Sequence, residues 1–223
     1  MITFVTKRTY YDLESAGREL AVALAKHGNS KSVVLAIANG AVPVAFPVAD
    51  TLDTHLDLIV IRRLFVREAG ALPVSAISVC GRLVIDADPR NLSSIEEQYK
   101  QLAIDELSKR VREMRGNTSS VDVEGLDVLL VDNGIHTGST LQIAINALRK
   151  LRPRSVTVAT PVANSSLKGS IESLADEVVC LQWCDHFGNT AVWYKKFDRP
   201  TDARIRTILQ NRTPIRKDGN GFA

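Results

Sequence analysis

The stretch 128–140, VLLVDNGIHTGST, constrains the fold of this chain more than any other segment. Val128, Leu129, Leu130 and Val131 form an unbroken apolar run, which suits a parallel strand buried on both faces. Asp132 stands where the run ends. A loop rich in Gly and hydroxyls follows, closing with Thr137, Gly138, Ser139 and Thr140. Leu141, Ala144, Ile145, Leu148 and Leu151 then recur at helical spacing. Strand, short loop and helix N-terminus make the local geometry that binds phosphate. Backbone N–H groups and the positive end of the helix dipole converge there on one point. Gly138 permits close backbone approach, and the hydroxyls add donors. The Gly-Lys-Ser/Thr of a Walker loop is absent, and many such turns carry Gly and Thr only as caps.

The rest of the chain alternates in the same manner. A first helix is predicted over 12–26, with Leu13, Ala16, Gly17, Leu20 and Leu24 on one face. Strands are predicted at 33–38, 58–61, 156–160 and 178–181. A helix over 42–52 is disturbed by Pro43 and Pro47, the second of which predicts a kink or a short first segment. Segments 74–79 and 83–85 read as a hairpin about Cys80-Gly81. Ser93-x-x-Glu96 is a capping box that opens a long charged helix to about Arg115. Further helices are expected near 167–175 and 202–209, and the last dozen residues fray. This order predicts an α/β fold, a Rossmann-like parallel sheet flanked by helices on both faces. Ligands of such sheets bind at the C-terminal strand ends, and Asn39, Arg62 and Asp132 all fall there.

A length of 223 residues fits a single domain with a small appendage. The net charge of +3 is too mild to argue for nucleic acid and is compatible with a small anionic substrate. No run reaches the length of a membrane span, and the N-terminus lacks the apolar core of a signal peptide. Cys80, Cys180 and Cys184 form no metal-ligand pattern and cannot all pair, so a reducing cytoplasm is the expected compartment. Cys184, Asp185 and His186 lack a fourth ligand and do not read as a metal site.

Three segments carry a resemblance to a known family. Segment 128–140 resembles the motif for phosphoribosyl pyrophosphate (PRPP) in type I phosphoribosyltransferases, where an apolar strand ends in two acidic residues before a Thr-Gly-x-Thr loop. Segment 36–45, AIANGAVPVA, resembles their pyrophosphate loop, and 59–64, IVIRRL, their basic strand end. The layout is most similar to a bacterial and archaeal branch assigned to that family from sequence, running from an N-terminal helix at 13–20 to a Trp-Tyr-x-x-Phe segment at 193–197. The resemblance implies the type I fold over residues 1–223, with a loop, hairpin and helix insertion at about 65–125 and a hood and tail at about 182–223. It implies PRPP and a small acceptor as substrates, a magnesium ion carried by PRPP with Asp132 as its one candidate protein contact, and a homodimer. It also implies that Asp132 contacts the ribose hydroxyls and that Thr137, Gly138, Ser139 and Thr140 hold the 5′-phosphate. Asn39, Gly40, Arg62 and Arg63 would bind pyrophosphate, and Trp193 and Tyr194 the acceptor.

Displacing pyrophosphate at C1 passes through an oxocarbenium-like sugar, so both phosphate ends must be held and the leaving group neutralised. Adjacent strand residues point to opposite faces, so at most one of Arg62 and Arg63 need enter the site. Trp193 could stack on a planar acceptor or pack in an apolar strand, 191–194. His136, just before Thr-Gly, is a candidate general acid or base, a fixed donor, or a solvent-exposed loop residue. Asn39 replaces an Arg, and Asn133 the second acidic residue of the family motif. Two function classes follow. One is transfer of phosphoribose to a small acceptor such as a nitrogenous base. The other is a PRPP or nucleotide sensor that keeps the fold with altered chemistry.

Overall fold

The computed structural model describes residues 9–38, 40–64, 74–86, 94–116 and 118–212. Among these, seven strands form one sheet: β1 (Ser32–Ile37), β2 (His55–Leu64), β3 (Val74–Val79), β4 (Arg82–Asp86), β5 (Asp127–Val131), β6 (Ser155–Asn164) and β7 (Glu177–Cys184). Their order is β4-β3-β2-β1-β5-β6-β7. Strands β2, β1, β5, β6 and β7 run parallel, whereas β3 and β4 join antiparallel at one edge. The sheet is therefore mixed, because the hairpin inserted between β2 and β5 adds itself to the ladder. Cys80 and Gly81 both take positive φ, 49° and 80°, the two-residue turn geometry whose twist matches a hairpin.

β1 is buried along its whole length, as a central parallel strand covered on both faces must be. Its residues divide by alternation between two cores. Val34 and Ala36 join Leu129 and Val131 under α1 (Leu13–Ala23), α2 (Val42–Thr51), α3 (Ser94–Arg115) and α6 (Asp202–Gln210). Val33 and Leu35 join Val128 and Leu130 under α4 (Ser139–Arg149) and α5 (Lys168–Leu174). Asp12 and Ser15 cap α1 reciprocally, with Ser15 N donating to Asp12 Oδ1 at 2.7 Å and Asp12 N to Ser15 Oγ at 2.9 Å. α2 continues through Pro47 without ending there. The capping residue Ser93 lies outside the described residues.

Several elements are longer than the sequence predicts. β2 runs through Arg62 and Arg63, where its partner is β3. β6 continues past Pro161, which lies beyond the last β5 partner pair, Val131–Ala159. β7 includes residues 182–184, so the C-terminal hood begins only after Cys184. Residues 191–193 form a 3₁₀ turn with Thr190 and not a strand, and Tyr194 makes an isolated bridge to Tyr10. At the inserted end, Arg115 of α3 forms a buried ion pair with Asp57 of β2. Asp57 also accepts from Val121 N at 3.1 Å, and Arg115 donates to Ser119 O at 2.8 Å. Both charges of that cluster are compensated, the condition under which a buried pair is tolerated.

The crossover after β1 leads away to β2, and the chain after β5 leads the other way to β6. β1 and β5 are thus the neighbours at which the strand order reverses, where α/β sheets place their ligands.

Candidate functional site

An open cleft of about 770 Å³ lies at the C-terminal ends of β1 and β5. Ile37, Ala38 and Gly40 line it from the β1 end, and Asp132, Asn133, His136 and Thr140 from the β5 end. Asn189, Thr190, Ala191, Phe197 and Arg199 complete it from the hood.

The segment between β5 and α4 is held along β6. Asp132 N donates to Ala159 O at 3.1 Å, Ile135 N to Val162 O at 3.0 Å and Asn164 N to Ile135 O at 2.9 Å. The Asp132 carboxylate accepts from the backbone N–H of Asn133 at 2.8 Å and from that of Gly134. Burial pushes its pKa up to about 6, against those two bonds. Gly138 is the N-cap of α4 with φ 71°, left-handed geometry that a residue with a β-carbon adopts only with strain. A β-carbon there would meet Leu167 Cδ1 at 3.5 Å, an ordinary contact, so the backbone conformation and not crowding calls for glycine. Of the four loop residues, Thr140 lines the cleft. Thr137 and Ser139 stand beside it, their hydroxyls 3.2 Å apart. The first turn of a helix leaves N–H groups without intrahelical acceptors, which suits α4 to an anion.

His136 is exposed in the cleft and stacks on Phe187, ring centroids 5.5 Å apart and planes at 11°. Phe187 is buried against Trp193 in turn, at 5.8 Å. Trp193 is itself buried and its Nε1–H donates to Phe187 O at 2.9 Å. Tyr194 is buried, and its hydroxyl donates to the backbone carbonyl of Asn133. Neither ring lines the cleft, which corrects the reading of Trp193 and Tyr194 as an acceptor platform. They pack behind the cleft wall because the chain turns there and buries both rings in the core beneath α1. Besides His136, the aromatic ring that lines the cleft among the described residues is Phe197.

Arg62 also stands elsewhere. It is exposed and paired with Glu106 of α3 at 2.7 Å, because its strand position faces the helix layer of α3. Arg63 lies on β2, with its side chain outside the described residues, as does Asn39 as a whole. Arg199 is the cation among the described residues that line the cleft. Sequence reasoning missed it, together with Asn189 and Thr190, since the irregular chain after β7 has no periodicity. The available signal was position, as these residues flank the Trp-Tyr-x-x-Phe segment.

Among the described residues no group of three or more His, Cys, Asp or Glu side chains could hold a metal ion. Asp132 is the carboxylate among the described residues that line the cleft. That donor set fits a magnesium ion that keeps most of its ligands from substrate phosphates and water, and not a resident metal.

Residues 8–196 match the family model described as the phosphoribosyl transferase domain. The chain belongs to the phosphoribosyl transferase family. Its architecture is the type I phosphoribosyltransferase fold, extended by the β3–β4 edge hairpin. It is 31% identical over 208 residues to a Mycobacterium tuberculosis protein assigned by name to the phosphoribosyl transferases, covering 91% of this chain and 46% of that protein. The chain thus spans about half the length of these curated relatives. A pyrimidine operon regulatory protein of Lactococcus lactis matches a shorter part, 32% identical over 88 residues, 35% of this chain and 51% of that protein. Among solved structures, TT1426 from Thermus thermophilus superposes with a TM-score of 0.76 at 29% identity, covering 92% of this chain and all of that one. No described helix is long and apolar enough to cross a membrane.

Proposed function

We propose that the chain transfers phosphoribose from magnesium-bound PRPP to a small acceptor and releases pyrophosphate. The observation that carries this reading is one cleft that brings together the Asp132 carboxylate, Thr140 at the start of α4 and Gly40 at the end of β1. An anion site, a hydroxyl-binding carboxylate and a close-approach glycine are what a phosphorylated sugar with a diphosphate leaving group requires.

In this reading the α4 N-terminus and the hydroxyls of Thr137, Ser139 and Thr140 hold the 5′-phosphate. Asp132 accepts from the ribose hydroxyls and fixes the sugar. Gly40 lets its own backbone approach the diphosphate, whose charge Arg199 offsets at the hood side. A magnesium ion carried in by PRPP would supply Lewis-acid charge to the leaving pyrophosphate. A lone pair of the acceptor forms the bond to C1 as the C1–O bond breaks, and pyrophosphate leaves with that electron pair. His136 takes the proton that the acceptor gives up, its ring held in place by Phe187. The acceptor sits against Phe197 and the neutral groups of Asn189 and Thr190.

A second reading is a PRPP-binding regulator, favoured by the neutral Asn133 at the second acidic position and by the partial match to a regulatory protein. Calorimetry with PRPP and magnesium, followed by a pyrophosphate-release screen over bases and other acceptors, separates the two. Binding with release supports transfer. Binding with no release on any acceptor supports the regulator, and no binding overturns both.

A further inference from the structure

The hood holds two successive peptides of this loop, Asn133–Gly134 and Gly134–Ile135, by one bond each. The Tyr194 hydroxyl donates to Asn133 O, and Thr190 Oγ1 lies 3.4 Å from Gly134 O. The fit is close: a β-carbon on Gly134 would stand 2.6 Å from Thr190 Cγ2. The Asn133–Gly134 peptide presents the Gly134 N–H to the Asp132 carboxylate, so its carbonyl and its N–H are engaged at once by the hood and by the site. Tyr194 is packed on several sides. It is buried, its ring lies 5.8 Å from Tyr10 and 5.4 Å from Phe197, and Tyr10 donates through its own hydroxyl to Pro161 O at 3.0 Å. Backbone bonds from Tyr10 N to Trp193 O at 2.9 Å and from Lys195 N to Tyr10 O at 2.9 Å fix the tyrosine from behind.

We infer that Tyr194 is a positioning residue, supported by Thr190 from the neighbouring Gly134–Ile135 peptide: through the Asn133–Gly134 peptide Tyr194 sets the orientation of the Asp132 carboxylate toward the sugar. The physical basis is that a carbonyl held by a donor cannot rotate, so the N–H at the other end of the same planar unit keeps its aim. A hydrogen bond to the carbonyl also strengthens the N–H as a donor along the chain of bonds. Asp132 accepts from the N–H groups of Asn133 and Gly134, and only the one from Gly134 belongs to the gripped peptide. The inference rests on the sugar-binding role proposed above for Asp132.

Two measurements test it separately from that role. The first needs no ligand. In Tyr194→Phe, which keeps the ring and removes the hydroxyl, amide hydrogen exchange at Gly134 is expected to accelerate about tenfold or more, with β1 and β5 amides unchanged. Unchanged exchange at Gly134 overturns the inference, as does uniform acceleration throughout the sheet, which marks general loosening. Thr190→Val, which keeps the shape, is expected to act in the same direction and more weakly. The second measurement compares ribose 5-phosphate with 2-deoxyribose 5-phosphate by calorimetry. The wild type is expected to favour the ribose about tenfold, and Tyr194→Phe to reduce that preference to below about threefold while inorganic phosphate affinity is retained. Retained preference overturns the inference, and parallel loss for all three ligands reduces Tyr194 to a structural role and overturns it too. If the wild type itself shows no preference, the sugar-binding reading of Asp132 fails and takes the inference with it, whereas accelerated exchange at Gly134 would still leave the grip on the peptide standing.

Discussion

Asn133 stands against Gly40: a β-carbon built on Gly40 would lie 2.6 Å from Asn133 Nδ2. The two loops that line opposite sides of the cleft therefore touch at this point, and each limits the other. Gly40→Ala is expected to displace the asparagine amide or the residue's own backbone, lowering PRPP affinity about tenfold or more while stability changes by about 1 kcal/mol. Combined with Asn133→Ala, the loss should be smaller than the sum of the single losses, because the clash partner is gone. Calorimetry on the four proteins of that cycle checks it, and strict additivity would show the contact to be inconsequential.

The Asp132 carboxyl titrates at about 6 in the folded chain, above its ordinary value, because burial disfavours the charged form. A group of this kind is easier to protonate folded than unfolded. The contribution of this one group to stability should therefore fall as pH rises from about 4 to about 6 and level off above, by about 3 kcal/mol. Asp132→Asn keeps an acceptor for the Asn133 and Gly134 N–H groups and has no charge to bury. It should match the wild type near pH 4 and exceed it above about pH 6 in denaturant unfolding. The same variant should bind PRPP less tightly at neutral pH. Equal unfolding curves at about pH 7.5 would show that Asp132 bears no burial cost.

His136→Ala is expected to reduce turnover by about 10²- to 10⁴-fold with little change in PRPP affinity. The stacking on Phe187 predicts a companion effect. Phe187→Leu, which keeps an apolar filler and loses the flat support, should lower turnover by a smaller factor in the same direction. Steady-state kinetics with the acceptor found in the release screen decides both, and unchanged turnover in His136→Ala removes that ring from the mechanism.

Arg62→Ala should be close to silent. Its guanidinium is half exposed and engaged with the equally exposed Glu106, an arrangement worth about 0–1 kcal/mol. PRPP affinity within about twofold of wild type is the expected result, and a large loss would mean that the Glu106 pair opens when ligand binds.

How far the sequence speaks for itself can be judged residue by residue. Val128–Val131 and Val33–Ile37 were legible because continuous apolar runs between turn signals have few other solutions. Asp132 and Gly138 were legible because strand ends and helix starts carry chemistry by position. Which of Arg62 and Arg63 meets the cleft was not legible, since a strand's alternation names two faces without assigning them, and α3 takes Arg62 through Glu106. Trp193 and Tyr194 were misplaced because an apolar aromatic pair reads the same in a wall and behind it. Thr190 and Arg199 were invisible, as a 3₁₀ turn and an irregular strap have no period to detect.

The pairing of β1 with β5 joins residues nearly a hundred positions apart, from Ser32–Asp127 to Ala36–Val131. Closing so long a loop is entropically slow, and it must precede any approach of Gly40 to the 132–140 segment. A growing or refolding chain thus has no cleft until its two halves have met, and Thr190 and Arg199 join later still in the chain. On the proposed function, ligand capture is a clock for the end of folding: a phosphorylated sugar added to a refolding reaction is expected to leave the first steps untouched and to draw the last one to completion.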